Sequence, residues 1–320
     1  MPVLQADDLR VSFALAGATQ HAVRGVSFEV AAGECLGIVG ESGSGKTQTF
    51  MAAMGLLAGN SQAGGSVKFE GAELLGLAAP ALNRIRGSRL TMVFQDPMTS
   101  LTPHLKIGVQ LAEVLVHHRG ASWRESEQAA LEILERVRVS DARRRLRQYP
   151  HELSGGMRQR VMIGMSLMCR PSLLIADEPT SSLDVTVQAQ IIDLLRALRQ
   201  ESAMSVVLIS HDLGVVAGLA DRIVVMYAGR IVESAIAAEL LSSPRHPYTE
   251  LLLRCVPNLH LPRLARMPCL PGQAPSAADP EQGCAFASRC PRAARRCREE
   301  RPALRPGGGS AQVACHFPCP

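Results

Sequence analysis

Residues 40–47 read Gly40-Glu41-Ser42-Gly43-Ser44-Gly45-Lys46-Thr47 and match the pattern G-x-x-x-x-G-K-[ST]. Glycines at this spacing let the backbone close around an anion, so that successive N–H groups and a following helix N-terminus face it. Lys46 brings a positive charge to β- and γ-phosphates, and Thr47 offers a hydroxyl to Mg²⁺. A second group of residues is Asp177-Glu178, at the end of the apolar run 173–176. Two carboxylates there sit at the carboxyl edge of a parallel sheet, where ligands bind in such folds. Asp177 would stabilise the magnesium shell, and Glu178 would polarise an attacking water. Alone, a strand ending in Asp says little; beside the glycine loop it points to hydrolysis of a nucleoside triphosphate. His211 closes the apolar run 205–210, either as a structural histidine or as a polar group reaching the γ-phosphate and Glu178. Gln95 ends the run 90–94, where it can meet Mg²⁺ or the water.

The elements that must position these groups are legible from periodicity. The first 33 residues alternate apolar and polar positions (Leu9, Val11, Phe13; Val26, Phe28, Val30) and read as antiparallel strands. A short, wholly apolar run at 35–39 and similar buried runs at 90–94, 173–176 and 206–209 alternate with helical stretches, which predicts a parallel sheet covered on both faces. Between about 105 and 165 the period becomes helical, with Leu131, Leu134 and Val137 on one face. Residues 188–200 form another amphipathic helix, with Ile191, Leu194, Leu195 and Leu198 inward. After Pro257 the chain turns to Pro, Gly, Arg and Cys. That stretch reads as a separate element too poor in apolar residues to fold on a core alone. The fold class is therefore α/β: a P-loop NTPase with a parallel-sheet core, an N-terminal antiparallel β subdomain, a helical insertion and a small Cys-rich C-terminal extension. The expected boundaries are 1–235 for the ATPase domain, with its helical subdomain at about 97–165, and 236–320 for the extension.

Composition narrows the function classes. The net charge of +5 comes from arginine, because Lys46, Lys68 and Lys106 are the only lysines. Its mixed-sign interspersion reads as compositional bias. Aromatics at 3% argue against base-stacking platforms, so no nucleic-acid partner is expected. The longest apolar run, 161–169, is stopped by Arg160 and Arg170, whereas a membrane span needs about 20 such residues. Any membrane contact is therefore expected through a partner. The start, MPVLQADDLR, lacks an apolar h-region, so no secretory signal is expected. Of the nine cysteines, Cys35 and Cys169 lie in apolar stretches and read as buried fillers. The others follow residue 254, and without an export signal their clustering points to metal rather than disulfides.

Leu153-Ser154-Gly155-Gly156-Met157-Arg158-Gln159-Arg160 is a Ser-Gly-Gly turn capping a new helix, a phosphate site without its own lysine. It resembles the signature motif of ABC ATPases. That resemblance implies two such domains paired head to tail, each ATP held between the P-loop of one and the Ser154, Gly155 and Gly156 turn of the other. Ser181-Ser182-Leu183-Asp184 resembles the D-loop, Gln95 the Q-loop glutamine and His211 the switch histidine. Phe13 sits where the family places an aromatic on adenine, and equally suits a core strand position. The resemblance covers residues 1 to about 235.

A narrower resemblance is to the oligopeptide and dipeptide importer ATPases. It rests on 39–47, on 93–101 (Val-Phe-Gln-Asp-Pro-Met-Thr-Ser-Leu), on 184–190 and on His246-Pro247-Tyr248-Thr249. Gly283-Cys284, Phe286, Arg289-Cys290-Pro291, Cys297 and Cys315 complete it. What it implies is an ATP- and Mg²⁺-dependent subunit powering peptide import, peripheral on the cytoplasmic face of the inner membrane. The implied partners are a second ABC ATPase subunit, two transmembrane permease subunits and an extracytoplasmic substrate-binding protein. Nickel importers belong to the same group and are the alternative. Rival readings are a soluble ABC ATPase, which usually carries two ATPase units or a long coiled-coil insertion, and a metal-sensing regulator with ATP as its switch.

Cys284, Cys290, Cys297 and Cys315 match neither the tight pairs of zinc ribbons nor common ferredoxin spacings. The resemblance implies a [4Fe–4S] cluster on these thiolates. From the residues alone, zinc and unligated thiols stay open. Cys255, Cys269 and Cys319 fall outside the pattern and read as spare.

Overall fold

Among the described residues the strands follow one another as β1 (Leu4–Leu15), β2 (Ala18–Val30), β3 (Cys35–Val39), β4 (Ser61–Phe69), β5 (Ala72–Glu73), β6 (Leu90–Val93), β7 (Leu173–Asp177), β8 (Ser205–Ser210), β9 (Arg222–Tyr227), β10 (Arg230–Ile236), β11 (Arg305–Gly308) and β12 (Ala311–Val313). The computed structural model describes residues 1–15, 17–96, 100–181, 183–255, 270, 272–279 and 282–320. Pro97, Met98, Thr99, Ser182 and Cys269, which figure in the sequence patterns, lie outside the described residues. The chain forms two units: Met1 with 31–34 and 76–208, and 2–30 with 35–75 and 209–320.

In the first unit the strand order is β8-β7-β6. β6 and β7 run parallel, from Leu90 opposite Leu173 to Val93 opposite Ala176. Every residue of β7 and β8 is buried, which explains their continuous apolar runs. The helical period at 105–165 resolves into helices Ile107–Arg119, Trp123–Arg136 and Gly155–Leu167. Trp123–Arg136 buries Ala130, Leu131, Ile133 and Leu134, and starts at a capping box between Ser122 and Glu125. Helix Val185–Ser202 buries Ile191, Leu194, Leu195 and Leu198, as its periodicity predicts. Each such side chain removed from water contributes about 1.5–3 kcal/mol.

In the second unit β2-β1-β4-β5 form an antiparallel sheet, Leu4 facing Val30 and Phe69 across its two neighbours. Leu4, Leu9, Val11, Val23 and Val26 are buried, the inward half of the alternation. The other strands lie in the order β11-β12-β10-β9-β3. β3 is buried throughout and pairs parallel with β9, from Leu36–Arg222 to Val39–Val225. Residues 209–320, the C-terminal segment among them, group with this unit. β12 pairs antiparallel with β10, Glu233 opposite Val313, and the Ala314 N–H donates to the Val232 carbonyl at 2.8 Å. Phe286 is buried against Tyr227, Tyr248 and His246. A segment short of apolar residues thus gains a core by adding one aromatic ring and one short strand to a core that already exists.

Candidate functional site

β3 carries the chain into the glycine loop, and the helix Lys46–Ala53 carries it out. Gly45, at φ 98°, precedes that helix without any side-chain cap, so no capping side chain covers the first N–H groups. Two glycines are required by close approach. A Cβ on Gly40 would lie 2.2 Å from the Met226 carbonyl oxygen, and one on Gly45 would lie 2.4 Å from that of Ala22. Lys46 is buried, and its Nζ donates to the carbonyls of Gly40 at 2.7 Å and Glu41 at 2.9 Å. Thr47 is half-buried, whereas Ser42 and Gly43 are exposed at the loop's tip.

The loop is also held from outside. The Gly229 N–H donates to the Ser44 carbonyl at 3.0 Å. The Glu41 N–H donates to Tyr248 Oη at 2.9 Å. Arg289 Nη1 and Nη2 donate to the two Glu41 carboxylate oxygens at 2.7 and 2.8 Å, and Nη1 also donates to Tyr227 Oη at 3.1 Å. Sequence reasoning marks Tyr248 and Arg289 only as members of a pattern and misses this role. The available signal was an arginine lodged between Phe286 and Cys290 in a segment otherwise rich in exposed residues.

In the first unit, β7 ends on buried Asp177, and Glu178 follows with φ 44° in the left-handed region. A non-glycine residue there carries backbone strain of the kind that clusters at functional sites. Gln95 Nε2 donates to Glu178 Oε2 at 3.1 Å, so the structure joins two residues singled out from sequence. Ser181 fixes the Glu178 carbonyl through its N–H and its hydroxyl, at 3.2 and 3.1 Å. Asp184 Oδ1 accepts from the Val187 N–H at 3.0 Å and caps helix Val185–Ser202. Ser154 Oγ accepts from the Met157 N–H at 3.4 Å and caps helix Gly155–Leu167. Ser154 and Gly155 are exposed, while a Cβ on Gly156 would lie 2.9 Å from Val187 Cγ1. A small residue at 156 therefore seats the Ser-Gly-Gly turn against the start of helix Val185–Ser202.

Phe13 and His211 belong to the second unit. Phe13 is half-buried on β1, opposite Gln20 and Ser61, and His211 is exposed just after β8. Cys284, Cys290, Cys297 and Cys315 line one small apolar cavity, together with His246 and Phe286. Burial, reinforced by the neighbouring thiols, pushes Cys284 up to about 11, against a hydrogen bond from the Phe286 backbone. Burial likewise raises Cys290 and Cys315. Among the described residues no three His, Cys, Asp or Glu side chains converge so as to hold a single metal ion. Cys319, read as spare, is buried and its Sγ donates to Glu250 Oε2 at 3.2 Å. Among the described residues no helix is long and apolar enough to cross a membrane.

Residues 23–181 match the ABC transporter family, and residues 232–297 match the oligopeptide/dipeptide transporter C-terminal region. The oligopeptide transport ATP-binding protein OppD of Salmonella typhimurium is 50% identical over 307 residues, covering 95% of this chain and 91% of that protein. OppD of Escherichia coli is 49% identical over 295 residues, covering 92% and 87%. A probable peptide ABC transporter ATP-binding protein of Sinorhizobium fredii is 48% identical over 314 residues, covering 97% and 94%. Among solved structures, the dimeric post-hydrolysis state of the ATP-binding cassette MJ0796 with ADP and Pi is similar, with a TM-score of 0.66 and 27% identity. It covers 73% of this chain and 98% of that one. With its glycine loop, its Ser-Gly-Gly turn and its C-terminal segment all inside these matches, the chain belongs to the ATP-binding subunits of ABC transporters, in the oligopeptide and dipeptide importer family.

Proposed function

We propose that this chain hydrolyses ATP to ADP and phosphate to drive uptake of oligo- or dipeptides through an importer of the cytoplasmic membrane. The observation that carries this reading is the joint presence of an ABC ATPase region and an oligopeptide/dipeptide transporter C-terminal region, within near-full-length similarity to oligopeptide and peptide transport ATP-binding proteins. In this reading the N–H groups of 40–47 and the Lys46 ammonium bind the β- and γ-phosphates. Phe13 contributes to the adenine contact. Thr47, Gln95 and Asp177 would hold Mg²⁺, whose charge offsets that developing on the transferred phosphoryl group. Glu178, held by Gln95, orients the attacking water, and His211 contacts the γ-phosphate. Because phosphoryl transfer is largely a matter of positioning and charge stabilisation, one carboxylate that fixes the water suffices.

The Ser154-Gly155-Gly156 turn, exposed at Ser154 and Gly155, has hydroxyl and N–H donors but no lysine, so it suits the γ-phosphate of an ATP seated on a second ATPase subunit, with Asp184 beside it. Closure around two ATP molecules and reopening after hydrolysis would pass through residues 95–103 to two permease subunits. An extracytoplasmic binding protein would deliver the peptide. The chain itself would stay peripheral, on the cytoplasmic face.

The four cysteines line one apolar cavity, which is what favours a group bound by all four. Cys284, Cys290, Cys297 and Cys315 would hold a [4Fe–4S] cluster, which supplies cross-linking of a segment with little core. Burial raises three of these thiols, so a cationic group is what would keep them as thiolates.

The test is co-expression with the neighbouring permeases and ATPase partner, followed by reconstitution in vesicles with the binding protein. Accumulation of labelled dipeptide that requires ATP, outcompeted by unlabelled peptide and not by nickel, is the expected result. Uptake of nickel without peptide would overturn the cargo assignment. Anaerobic purification with iron and sulfide analysis tests the cluster separately.

A further inference from the structure

We propose that Arg289 is a positioning residue of the phosphate loop, and that the four-thiol pocket acts on ATP affinity through it. This rests on reading residues 40–47 as the ATP site.

Glu41 occupies a position whose residue type the loop pattern leaves open, yet both its backbone and its side chain are held by residues far along the chain. Its carboxylate takes a bidentate pair from Arg289, 248 residues away, and its N–H is taken by Tyr248 Oη, 207 residues away. The Arg289 side chain is 4% exposed, against 26% for Glu41. A guanidinium so shielded is strongly disfavoured without its carboxylate, so the pair holds as a unit. Tyr227, Tyr248 and Phe286 pack ring on ring, with centroids 4.6 Å apart for the tyrosine pair and 5.3 Å for each tyrosine with Phe286. Tyr227 and Tyr248 hydroxyls that meet Arg289 and Glu41 are thereby fixed on a packed base. The Glu41 carbonyl, on the residue so anchored, is one of the two that receive the Lys46 ammonium. Whatever moves Glu41 also moves the charge that meets the phosphates.

The arginine is in turn held by the thiol segment. The Arg289 N–H donates to the Phe286 carbonyl at 3.0 Å, and the Cys284 N–H donates to the Cys297 carbonyl at 2.7 Å. Cys290 follows Arg289 directly, and its carbonyl accepts from the Ala293 N–H at 3.2 Å. The backbone from which the guanidinium reaches Glu41 is therefore part of the hydrogen-bonded turn that carries Cys284, Cys290 and Cys297. A preformed phosphate loop binds nucleotide without having to order itself first, so loss of this support weakens binding rather than the chemical step.

The experiment measures MgATP affinity and steady-state hydrolysis on the purified full-length chain. Arg289→Met is expected to weaken MgATP binding about tenfold and raise KM by a similar factor, the scale of one charge-assisted hydrogen-bond pair. Its kcat stays within about threefold, and amide exchange at 40–47 quickens. Arg289→Lys, which keeps the charge and loses the fork, recovers part of the affinity. Cys290→Ser shifts affinity in the same direction, and adding Arg289→Met to it produces less than the product of the two effects. Leu134→Ala, on the core-facing side of helix Trp123–Arg136 of the first unit, lowers thermal stability and leaves MgATP affinity unchanged. An Arg289→Met chain that binds MgATP within about twofold of the wild type overturns the proposal, as does an equal loss from Leu134→Ala. Independent, multiplying effects of Cys290→Ser and Arg289→Met overturn the route through the thiols. Lys46→Ala keeps the two levels apart: wild-type affinity in that variant sinks the assignment of the loop itself.

Discussion

Gln95 Nε2 lies 3.1 Å from Glu178 Oε2, so an amide just past β6 and a carboxylate just past β7 meet although 83 residues separate them. Parallel pairing of β6 with β7 explains the meeting, because Val93 opposite Ala176 brings both strands to their carboxyl ends together. The amide restricts where the carboxylate points, and the left-handed backbone at Glu178 restricts it further.

Glu178→Gln should bind MgATP within about threefold of the wild type and hydrolyse it about 10²–10⁴-fold more slowly. The new amide can still accept from Gln95, so its placement is kept and only the basic oxygen is lost. Phosphate release in a single turnover reads the result. Near-normal turnover would remove Glu178 from the role of orienting water.

Ser154→Ala should cost only about 0.5 kcal/mol in urea unfolding, the low end for an N-cap, because the Met157 N–H to Ser154 Oγ bond is long at 3.4 Å. Its effect on ATP-driven association of ATPase subunits should be much larger. Sizing of the chain with its partner, in MgATP and with hydrolysis blocked, separates the two. Unchanged association would show that the hydroxyl serves the helix alone.

Glu73 predicts a dependence on acid. Burial raises its pKa, but hydrogen bonds from the Ser66 hydroxyl and from backbone N–H groups, Val67 and Leu75 among them, outweigh that and hold it below the usual carboxylate range. A carboxylate lowered in the folded state stabilises above the unfolded value and loses that contribution as pH falls through the folded value. Denaturant midpoints measured from pH 6 down to about 3 should therefore fall less steeply in Glu73→Gln than in the wild type. Parallel curves would count against it.

Much of this was legible in the chain because a few residues carry local signals. The wholly apolar run 35–39, the glycines after it and Lys46-Thr47 specify strand, loop and helix within a dozen or so positions. The helix Val185–Ser202 announces its buried face through Ile191, Leu194, Leu195 and Leu198. Long-range partners carry no such mark. Glu41 looks like filler in a loop until Arg289 is placed against it, and β12 is too short for any period to show. Phe13 illustrates a third case: alternation puts it on a strand, but only packing decides that it stays half-buried.

The union of β12 with β10 and of Arg289 with Glu41 also has a temporal side. Translation proceeds from the amino end, and domains form as their parts emerge. The glycine loop is synthesised early, yet the guanidinium that clasps it comes 248 residues later. Until then Glu41 lacks its counter-ion and the edge of β10 lacks its neighbour. A ribosome-bound chain stalled before residue 284 would thus expose an open edge strand and a loosely held loop, an assembly state suited to chaperone capture rather than to consuming nucleotide.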